Sequence, residues 1–540
     1  MTEHLLNLVA PARGGFVLST EQTIGLVAAM GLIYLLVEYR DHAIFTKRRP
    51  DLFTPPGQQI PLLGDVIGMI KNQDRAMERF AELKDHHRNE LVKGGPSYAL
   101  SMTLPDGRRM IEVSKPHMLE YIQRTNFQNY VKGHQFFRNL SPLLGHGIFV
   151  VDGPAWKTQR QATARIFTGS NFRGVVSTSI QTNLDRLTTI IGRHADRSET
   201  FDLADLFFRF TLSSFSEMAF GTDIGALSTE SDAPVPFAKA FDYGQMVMNR
   251  RFTNPFWPVT ERIDGTHARF LAAKKTIDEF SYGIIEEREQ AGRGNFTGSQ
   301  KQEAARLDLL SLYMALRDEK GAPLTRSALR DACLNLIICR DTTAQALSWT
   351  FFHLMRHPKL VEPMRKECDE TDKVDYDSFK NMIQTNAVFQ EGLRLHPSVP
   401  KNAWEALNDD QIPNGPRIEK GDLVFWSDWV MGRDTDVWGP DAGEFKPSRW
   451  IEEGQLKKES QWKAHFFNGG YRLCLGQNLA LYEGAAVLAA IVRDFDLSFA
   501  PGYLETTRMT DIDSTPCSVG ALTLTMAEPL LVRAARRKRQ

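Results

Sequence analysis

The sequence predicts a mainly α-helical protein with a minor β part, built as one large unit behind an N-terminal apolar helix. Helical spacing of apolar residues dominates from about residue 65 to residue 380. After Pro397 the pattern changes, because Gly, Pro and Asn-Asp punctuate short apolar runs, which indicates a small sheet and irregular segments. Hydrophobic residues make up 42% of the chain and charged residues 24%, a balance that excludes a disordered or collagen-like protein.

Residues 1–49 are interpreted as a membrane anchor with a basic flank. Ile24 to Val37 is an unbroken apolar run, and extending it back to Phe16 gives 22 residues with one charge, Glu21. No small-residue cleavage site follows, so an uncleaved anchor is predicted rather than a removed signal. Four basic residues follow the run, namely Arg40, Lys47, Arg48 and Arg49, whereas one, Arg13, precedes it. This bias predicts that the body of the protein lies on the cytoplasmic side.

Residues 50–64 are rich in proline and are predicted to form a stiff, extended hinge, since proline fixes φ and removes a hydrogen-bond donor. Residues 65–540 are predicted to form the remaining domain. Within it, Thr325 to His357 has helical apolar spacing without Gly or Pro, which predicts a buried central helix. Arg293 to Arg306 is predicted to be a surface loop. Asp422 to Trp426 and Ala521 to Met526 are predicted to be strands.

Charge and cysteine content restrict the partners. The formal net charge is −1 and the pI about 6.9, so no global basic field attracts nucleic acid. The dense basic cluster Arg533 to Arg539 is interpreted as a solvated, frayed terminus. The five cysteines form no C-x-x-C pair, which is typical neither of a disulfide framework nor of a zinc site. A reducing compartment fits this pattern best.

The most informative motif is Phe467-Asn-Gly-Gly-Tyr-Arg-Leu-Cys-Leu-Gly476, which is followed by a predicted helix start at Gln477. Backbone N–H groups and the helix dipole stabilise a thiolate at such a helix N-terminus. The motif resembles the signature F-x-x-G-x-R-x-C-x-G of the cytochrome P-450 superfamily at every fixed position. This resemblance implies the cytochrome P-450 fold and a haem b group whose iron takes Cys474 as its axial thiolate ligand.

The resemblance also implies roles for the rest of the motif. Gly470 and Gly476 would let the backbone approach the porphyrin closely. Phe467 would cover the sulfur from water, and Arg472 would pair with a haem propionate. The alternative is a buried structural cysteine beside a glycine turn, which is disfavoured because further family motifs occur in the right order.

Two supporting motifs resemble structural and cofactor-binding parts of the family. Glu391-Gly-Leu-Arg394 matches E-x-x-R, with Arg449 of Phe445-Lys-Pro-Ser-Arg-Trp450 completing a structural triad. A second E-x-x-R, Glu362-Pro-Met-Arg365, is interpreted as an ordinary surface pair. Trp156-Lys-Thr-Gln-Arg160 matches W-x-x-x-R, which implies that Trp156 and Arg160 hydrogen-bond a propionate. A partly buried amphipathic helix would show the same spacing.

Ile338-Cys-Arg-Asp-Thr-Thr343 resembles the family's oxygen-activation segment. The resemblance implies that Asp341 and Thr342 deliver protons while the thiolate favours cleavage of the O–O bond. The alternative is a helix-interior threonine that bonds back to its own backbone. Ile338 and Cys339 replace the small pair usual in the family. Because Ile338 lies one turn before Thr342, it should narrow the space above the iron, which bears on oxygen coupling and on the acceptance of bulky substrates, whereas a slim chain end would still fit.

Several further stretches resemble the branch that hydroxylates fatty acids and alkanes at or near the chain end. By analogy with that family, the candidate pocket residues are Phe136, Ile338, Val399 and Cys517, although simple core packing is an equal alternative for each. The family implies oxygen as co-substrate and electrons from a membrane-bound, NADPH-dependent cytochrome P-450 reductase. The expected location is the endoplasmic reticulum membrane, crossed once, with the catalytic domain facing the cytoplasm.

Other functions remain open at the level of sequence. The substrate of the monooxygenase could instead be a terpenoid, an aromatic compound or a xenobiotic. A reductase-independent haem-thiolate isomerase or dehydratase would have less use for Asp341 and Thr342, although Ile338 suits it. A non-catalytic membrane haem protein would need neither Thr342 nor an apolar access route.

Overall fold

The computed structural model describes residues 19–55, 59–92, 99–164, 167, 172–228, 235–293, 309–317, 321–371, 374–519 and 521–538. The α-helices are α1 (Thr20–Glu38), α2 (Val66–Lys71), α3 (Ala76–Val92), α4 (Pro116–Glu120), α5 (Gly133–Leu144), α6 (Gly153–Ala164), α7 (Ser177–Asp196), α8 (Leu203–Phe220), α9 (Pro236–Thr253), α10 (Trp257–Ile263), α11 (Thr266–Arg293), α12 (Leu309–Ala315), α13 (Arg326–Arg356), α14 (Val361–Asp369), α15 (Ile383–Leu395), α16 (Asp428–Gly432), α17 (Thr435–Trp438), α18 (Gln477–Asp494) and α19 (Tyr503–Thr506).

The β-strands are β1 (Ser101–Thr103), β2 (Arg109–Glu112), β3 (Tyr130–Val131), β4 (Phe201–Asp202), β5 (Asn402–Ala406), β6 (Asp410–Gln411), β7 (Arg417–Ile418), β8 (Leu423–Trp426), β9 (Ile451–Glu452), β10 (Gln455–Leu456), β11 (Phe495–Phe499) and β12 (Leu531–Arg536). The predicted fold class, mainly α with a minor β part, is confirmed. Residues 294–306 of the predicted loop and residues 56–58 of the predicted hinge lie outside the described ranges.

Helix α1 coincides with the apolar run of the predicted anchor. It starts with a capping box in which the Ser19 hydroxyl accepts from the Gln22 backbone N–H and the Gln22 side chain accepts from the Ser19 N–H. The helix has 19 residues, none of them buried against the rest of the protein. At 1.5 Å per residue it is about 28 Å long, so by length and composition it could cross a membrane.

Helix α13 forms the centre of the molecule, as its apolar spacing predicts. The Thr325 side chain accepts from the Ala328 N–H and caps the N-terminus, and the helix ends at His357. It packs against α8, α11, α15 and α18, which together bury nearly all of its surface. The predicted boundaries of Thr325 and His357 are therefore the two cap residues.

The larger sheet joins distant parts of the chain. Its strand order is β1-β2-β8-β5-β3, with β2 and β8 parallel and the other neighbours antiparallel. The predicted strand at Asp422–Trp426 is confirmed as β8. Four strands, β1 to β4, lie within residues 65–380, where helical spacing dominates. Their short length explains the omission, because two to four residues carry too little alternation to be recognised.

The C-terminal region contradicts two predictions. Ala521–Met526 is irregular, apart from an isolated bridge between Met526 and Ser518. The basic tail predicted to fray instead begins as β12, which pairs with β11 on one side and β4 on the other. Apolar residues alternate with the arginines, so Val532 is buried in the core. The arginines take surface partners, with Arg536 Nε 2.6 Å from Asp196 Oδ1.

A pair of adjacent substitutions distinguishes a packed strand from a frayed tail. Val532→Ala should lower the free energy of unfolding by about 2 kcal/mol, because it leaves a cavity beside β11 and β4. The side chain of Val532 is 0% exposed, whereas Leu531 is 38% exposed. Leu531→Ala is therefore the control and should change stability by less than about 0.5 kcal/mol. The midpoint of urea-induced unfolding measures both, and equal midpoints for the two variants would contradict the strand.

Candidate active site

The cysteine motif forms a tight loop that ends at the N-terminus of α18. The Cys474 N–H donates to the Phe467 carbonyl at 2.8 Å and closes the loop. Gly470 has a φ of 57°, and a Cβ added there would lie 2.4 Å from the Gln123 carbonyl oxygen. Glycine is therefore required at this position on both conformational and steric grounds. Gly476 is the N-cap of α18, and only the Cys474 sulfur lies within 4 Å of the place of its Cβ.

The Cys474 thiol faces an internal recess. Its side chain is exposed, yet the surrounding protein is dense enough that burial raises the pKa of the thiol, against an opposing influence of the Gly476 N–H, Arg160 and the Gln477 N–H. Both observations agree if the sulfur borders a cleft within the protein rather than its outer surface. The two backbone N–H groups of the α18 N-terminus and the Arg160 cation all favour a negative sulfur.

Cations collect beside this recess in excess over carboxylates. The Arg472 guanidinium lies 4.1 Å from the centre of the Trp156 ring and pairs with Asp152 at 2.6 Å. Burial and the Arg160 charge lower the pKa of Arg472 to about 10, although the Asp152 carboxylate acts in the opposite direction. Burial and the neighbouring Arg472 charge also lower the pKa of Lys132 to about 7. Lys132 and Arg472 lie beside the Asp152 carboxylate, and Arg160 lies near Arg472 and Cys474. This excess of positive charge suits a ligand that carries further negative groups.

Lys132 was missed by sequence analysis. It precedes Gly133 at the start of α5, and Gly133 has a φ of 81°. The Lys132 and Gly133 backbone N–H groups both donate to the Asp152 carboxylate at 3.1 Å, which brings the lysine beside Arg472. A lysine next to a glycine is common on protein surfaces, so only the fold reveals that this one is enclosed.

The middle of α13 opens on one face only. Between Ala332 and Leu354, every residue is buried except Ile338, Cys339 and Thr342. At spacings of one and four residues these three share one face of the helix. Ile338 and Thr342 are therefore on the same side, as the sequence predicts, and this side borders open space inside an otherwise closed core.

Segments that are hydrogen-bonded to α13 lie on both sides of this opening. One turn before Ile338, the Asn335 side chain donates to the Leu144 carbonyl at 2.8 Å and accepts from the Phe149 N–H at 3.0 Å. On the other side, the Ser398 hydroxyl donates to the Thr342 carbonyl at 2.6 Å. The next residue, Val399, is 40% exposed although its neighbours are buried. Val399 therefore faces a space beside Thr342.

The remaining candidate pocket residues are half-buried. Phe136 on α5 lies 5.6 Å from Phe252 on α9, measured between ring centres. Cys517 belongs to a loop whose Leu524 N–H donates to the Ser398 carbonyl at 2.9 Å, so the loop adjoins the segment that carries Val399. These contacts place Val399 and Ile338 at the opening itself, whereas Phe136 and Cys517 lie near it.

Asp341 and Thr342 point to different partners. The Thr342 hydroxyl donates to the Cys339 carbonyl at 2.7 Å, which is the backbone bond that the alternative interpretation describes. The Asp341 carboxylate is buried and accepts a hydrogen bond from the Gln245 side chain on α9. Burial raises the pKa of Asp341, while Arg340 and Gln245 act in the opposite direction. Gln245 was missed because its partner is 96 residues away in the chain.

Glu391, Arg394 and Arg449 form one buried network. Arg394 binds the Glu391 carboxylate through two hydrogen bonds of 2.8 Å, and Arg449 Nε binds it at 2.9 Å. The Trp450 indole N–H also donates to it, at 2.8 Å. The second E-x-x-R motif, Glu362-Pro-Met-Arg365, is not the surface pair that the sequence suggested. Arg365 instead binds the Asp496 carboxylate at 2.5 Å and the backbone carbonyls of Val492 and Phe495, at the end of α18 and just after it.

Comparison with known proteins places this geometry in a family. The family model "Cytochrome P450" matches residues 55–520. The chain is 42% identical over 525 residues to "Cytochrome P450 monooxygenase cyp1" of Mycosarcoma maydis, covering 94% of this chain and 79% of the relative. It is 34% identical over 409 residues to "Cytochrome P450 86B1" of Arabidopsis thaliana, covering 72% of each chain.

A solved structure supports the same fold. The "Crystal structure of cytochrome P450DA heme domain" superimposes with a TM-score of 0.72 at 22% identity, covering 90% of this chain and 98% of that chain. Family membership implies haem-thiolate iron, molecular oxygen and electrons from a redox partner. The protein is thus an oxidoreductase, and the chain belongs to the cytochrome P450 family of monooxygenases.

Proposed function

We propose that this monooxygenase hydroxylates fatty acids or alkanes at or near the end of the chain, with electrons from an NADPH-dependent cytochrome P-450 reductase. The observation that carries the proposal is the single opening in α13, which Ile338 narrows beside Thr342. A narrowed opening favours a slim methyl end over a fused ring system. The resemblance of several segments to the fatty-acid and alkane branch supports the same substrate class.

The residues present fit haem b. Cys474 is the donor for the iron, with its sulfur at the N-terminus of α18. Lys132, Arg160 and Arg472 supply the positive charge that two propionates would balance, and Trp156 packs under Arg472. Phe467 and Gly470 fix the conformation of the loop that carries Cys474. When bound, the thiolate-ligated iron supplies the activation of dioxygen. The protein contributes the thiolate, the charge balance and the supply of protons.

Proton supply is assigned to Asp341 and Thr342. Thr342 is partly exposed to the opening, so its hydroxyl can donate a proton to a ligand there. To do so it must leave the Cys339 carbonyl that it binds at 2.7 Å. Asp341 is enclosed, and burial raises its pKa, which favours the protonated form that can pass a proton to Thr342.

The membrane is the proposed source of the substrate. Helix α1 exposes apolar side chains along its whole length, among them Ile24, Ile33 and Val37. An anchor of this kind would keep the domain at the bilayer, where fatty acids and alkanes are concentrated. With the basic residues Arg40 and Lys47–Arg49 on the cytoplasmic side, the expected site is the cytoplasmic face of the endoplasmic reticulum.

Product analysis tests the substrate class. The purified protein, with an NADPH-dependent reductase and a panel of fatty acids and alkanes, should yield products heavier by one oxygen at or near the chain end. Ile338→Ala should move hydroxylation toward the chain interior, because the removed methyl groups widen the opening. Ile337→Val is the control, since Ile337 is buried on another face of the same helix. Absence of any lipid product, or an unchanged site of attack in Ile338→Ala, would contradict the proposal.

The hydroxyl of Thr342 tests the proton supply and separates this function from a reductase-independent isomerase. Thr342→Val removes the hydroxyl and keeps the shape, so product per NADPH should fall about tenfold or more while oxygen consumption continues. Thr350→Val is the control, because the Thr350 hydroxyl is buried and bonds to the Ala346 carbonyl. An isomerase would keep its full product yield in Thr342→Val without any reductase.

A further inference from the structure

Both backbone groups of Phe149 are bound, each by a side chain from a different part of the fold. The Phe149 N–H donates to Asn335 Oδ1 on α13 at 3.0 Å, and its carbonyl accepts from the Lys132 ammonium at 2.5 Å. Gly147 allows the approach of α13, because a Cβ there would lie 1.8 Å from the Asn335 amide nitrogen. Phe149 is thus held between the central helix and Lys132, the residue that precedes α5.

The Phe149 side chain lies at the edge of the opening in α13. Asn335 is three residues before Ile338 and four before Cys339, so it shares the face of α13 that these two residues expose. Phe149 is 37% exposed, whereas the next residue, Val150, is 1% exposed. Because its N–H is bound to this face of α13, the exposed side of the ring faces the space beside the opening.

The Lys132 ammonium also lies over two aromatic rings. It is 4.6 Å from the centre of the Phe136 ring and 5.5 Å from the centre of the Phe149 ring. A cation at such distances is attracted by the negative face of a ring, and the attraction is stronger where water is excluded. One ammonium group therefore holds Phe149 by its carbonyl and by its ring, together with the candidate pocket residue Phe136.

The charge of Lys132 depends on the groups beside it. Burial and the Arg472 charge lower the pKa of Lys132 to about 7, while the Asp152 carboxylate acts in the opposite direction. Asp152 also fixes the position of the lysine, because it accepts from the Lys132 and Gly133 N–H groups at 3.1 Å. The propionates of a bound haem are further carboxylates and act in the same direction as Asp152. Haem binding therefore favours the charged form that attracts the two rings.

We propose that Lys132 clamps Phe149 at the edge of the opening, and that this clamp determines which part of a substrate approaches the iron. Lys132 is a positioning residue, because it acts through Phe149. Phe149 is a specificity-determining residue that sequence analysis missed. The clamp connects two parts of the site, since one side chain lies beside the Asp152–Arg472 pair and over the rings next to α13. Only the identity of the substrate rests on the proposed function.

A ligand that enters the opening and binds the iron measures the clamp without turnover. 4-Phenylimidazole shifts the Soret band when its nitrogen ligates haem iron, and its phenyl group must share the space beside Phe149. In Lys132→Met the dissociation constant of 4-phenylimidazole should fall roughly three- to tenfold, because the ring no longer has to leave the ammonium before it makes room. Lys157→Met is the matched control and should leave this constant unchanged, because Lys157 is an exposed lysine on α6.

A double-mutant cycle shows whether Lys132 acts through Phe149. Phe149→Ala removes the ring and should also tighten the binding of 4-phenylimidazole. Adding Lys132→Met to Phe149→Ala should then change the dissociation constant by less than about twofold, because the clamped ring is already absent. An equal effect of Lys132→Met in both backgrounds would overturn the clamp, and so would an unchanged dissociation constant in Lys132→Met alone.

Two further variants separate the clamp from a role in haem binding alone. Lys132→Arg keeps a cation and N–H donors, so it should restore the binding constant of the unmodified protein. Lys132→Gln keeps a donor for the Phe149 carbonyl but no charge, and should resemble Lys132→Met even if the latter does not retain haem. If Lys132→Gln lowers the haem content while its loaded fraction binds 4-phenylimidazole as the unmodified protein does, Lys132 serves the cofactor alone and the clamp is wrong.

Product analysis links the clamp to the proposed function. In Lys132→Met, hydroxylation of a medium-chain fatty acid should be distributed over more carbons than in the unmodified protein or in Lys157→Met, because the released ring no longer fixes the position of the chain. An unchanged distribution despite altered binding of 4-phenylimidazole would overturn the assigned control of specificity. If the binding constants follow the double-mutant cycle but no variant hydroxylates a fatty acid, the clamp stands and the proposed substrate class fails.

Discussion

A fully buried carboxylate, that of Glu391, holds together the parts of the protein that carry the active site. It accepts hydrogen bonds from Arg394, Arg449 and the Trp450 indole, and Arg394 in turn donates to the carbonyls of Ala442 and Glu444. The network thereby ties α15 to the segment that leads into the cysteine loop. Removing one partner of a buried ion pair leaves an uncompensated charge, at a cost of about 3–5 kcal/mol.

The proposed function depends on the position of the opening in the otherwise buried core around α13. Between Ala332 and Leu354, helix α13 is buried except at Ile338, Cys339 and Thr342. Asn335 and Ser398 hydrogen-bond to the segments on either side of that opening or to α13 itself. Across the recess, Cys474 lies at a helix N-terminus beside an excess of cations. A cysteine donor, an excess of positive charge and an opening narrowed by Ile338 together suit the proposed haem chemistry.

Much of this arrangement could be predicted from sequence, because it depends on local patterns. The cysteine motif, the E-x-x-R spacing and the caps of α13 all lie within short stretches with fixed residue types. Interactions between distant residues were missed. Lys132 and Gln245 are ordinary in sequence, and their importance arises only from Asp152 and Asp341, far away in the chain. The arginine-rich end was misread because charge dominates its composition, while the alternating Val532 and Ala534 fill the core.

The identity of the iron ligand is the central claim, and one spectrum tests it directly. The reduced carbon monoxide complex of the purified protein should show the Soret band of a thiolate-ligated haem, and Cys474→Ser should abolish that band. Cys368→Ala should keep it, because Cys368 is buried in α14, away from the recess. A thiolate-type band that survives in Cys474→Ser would contradict the assignment, and so would its absence from the unmodified protein.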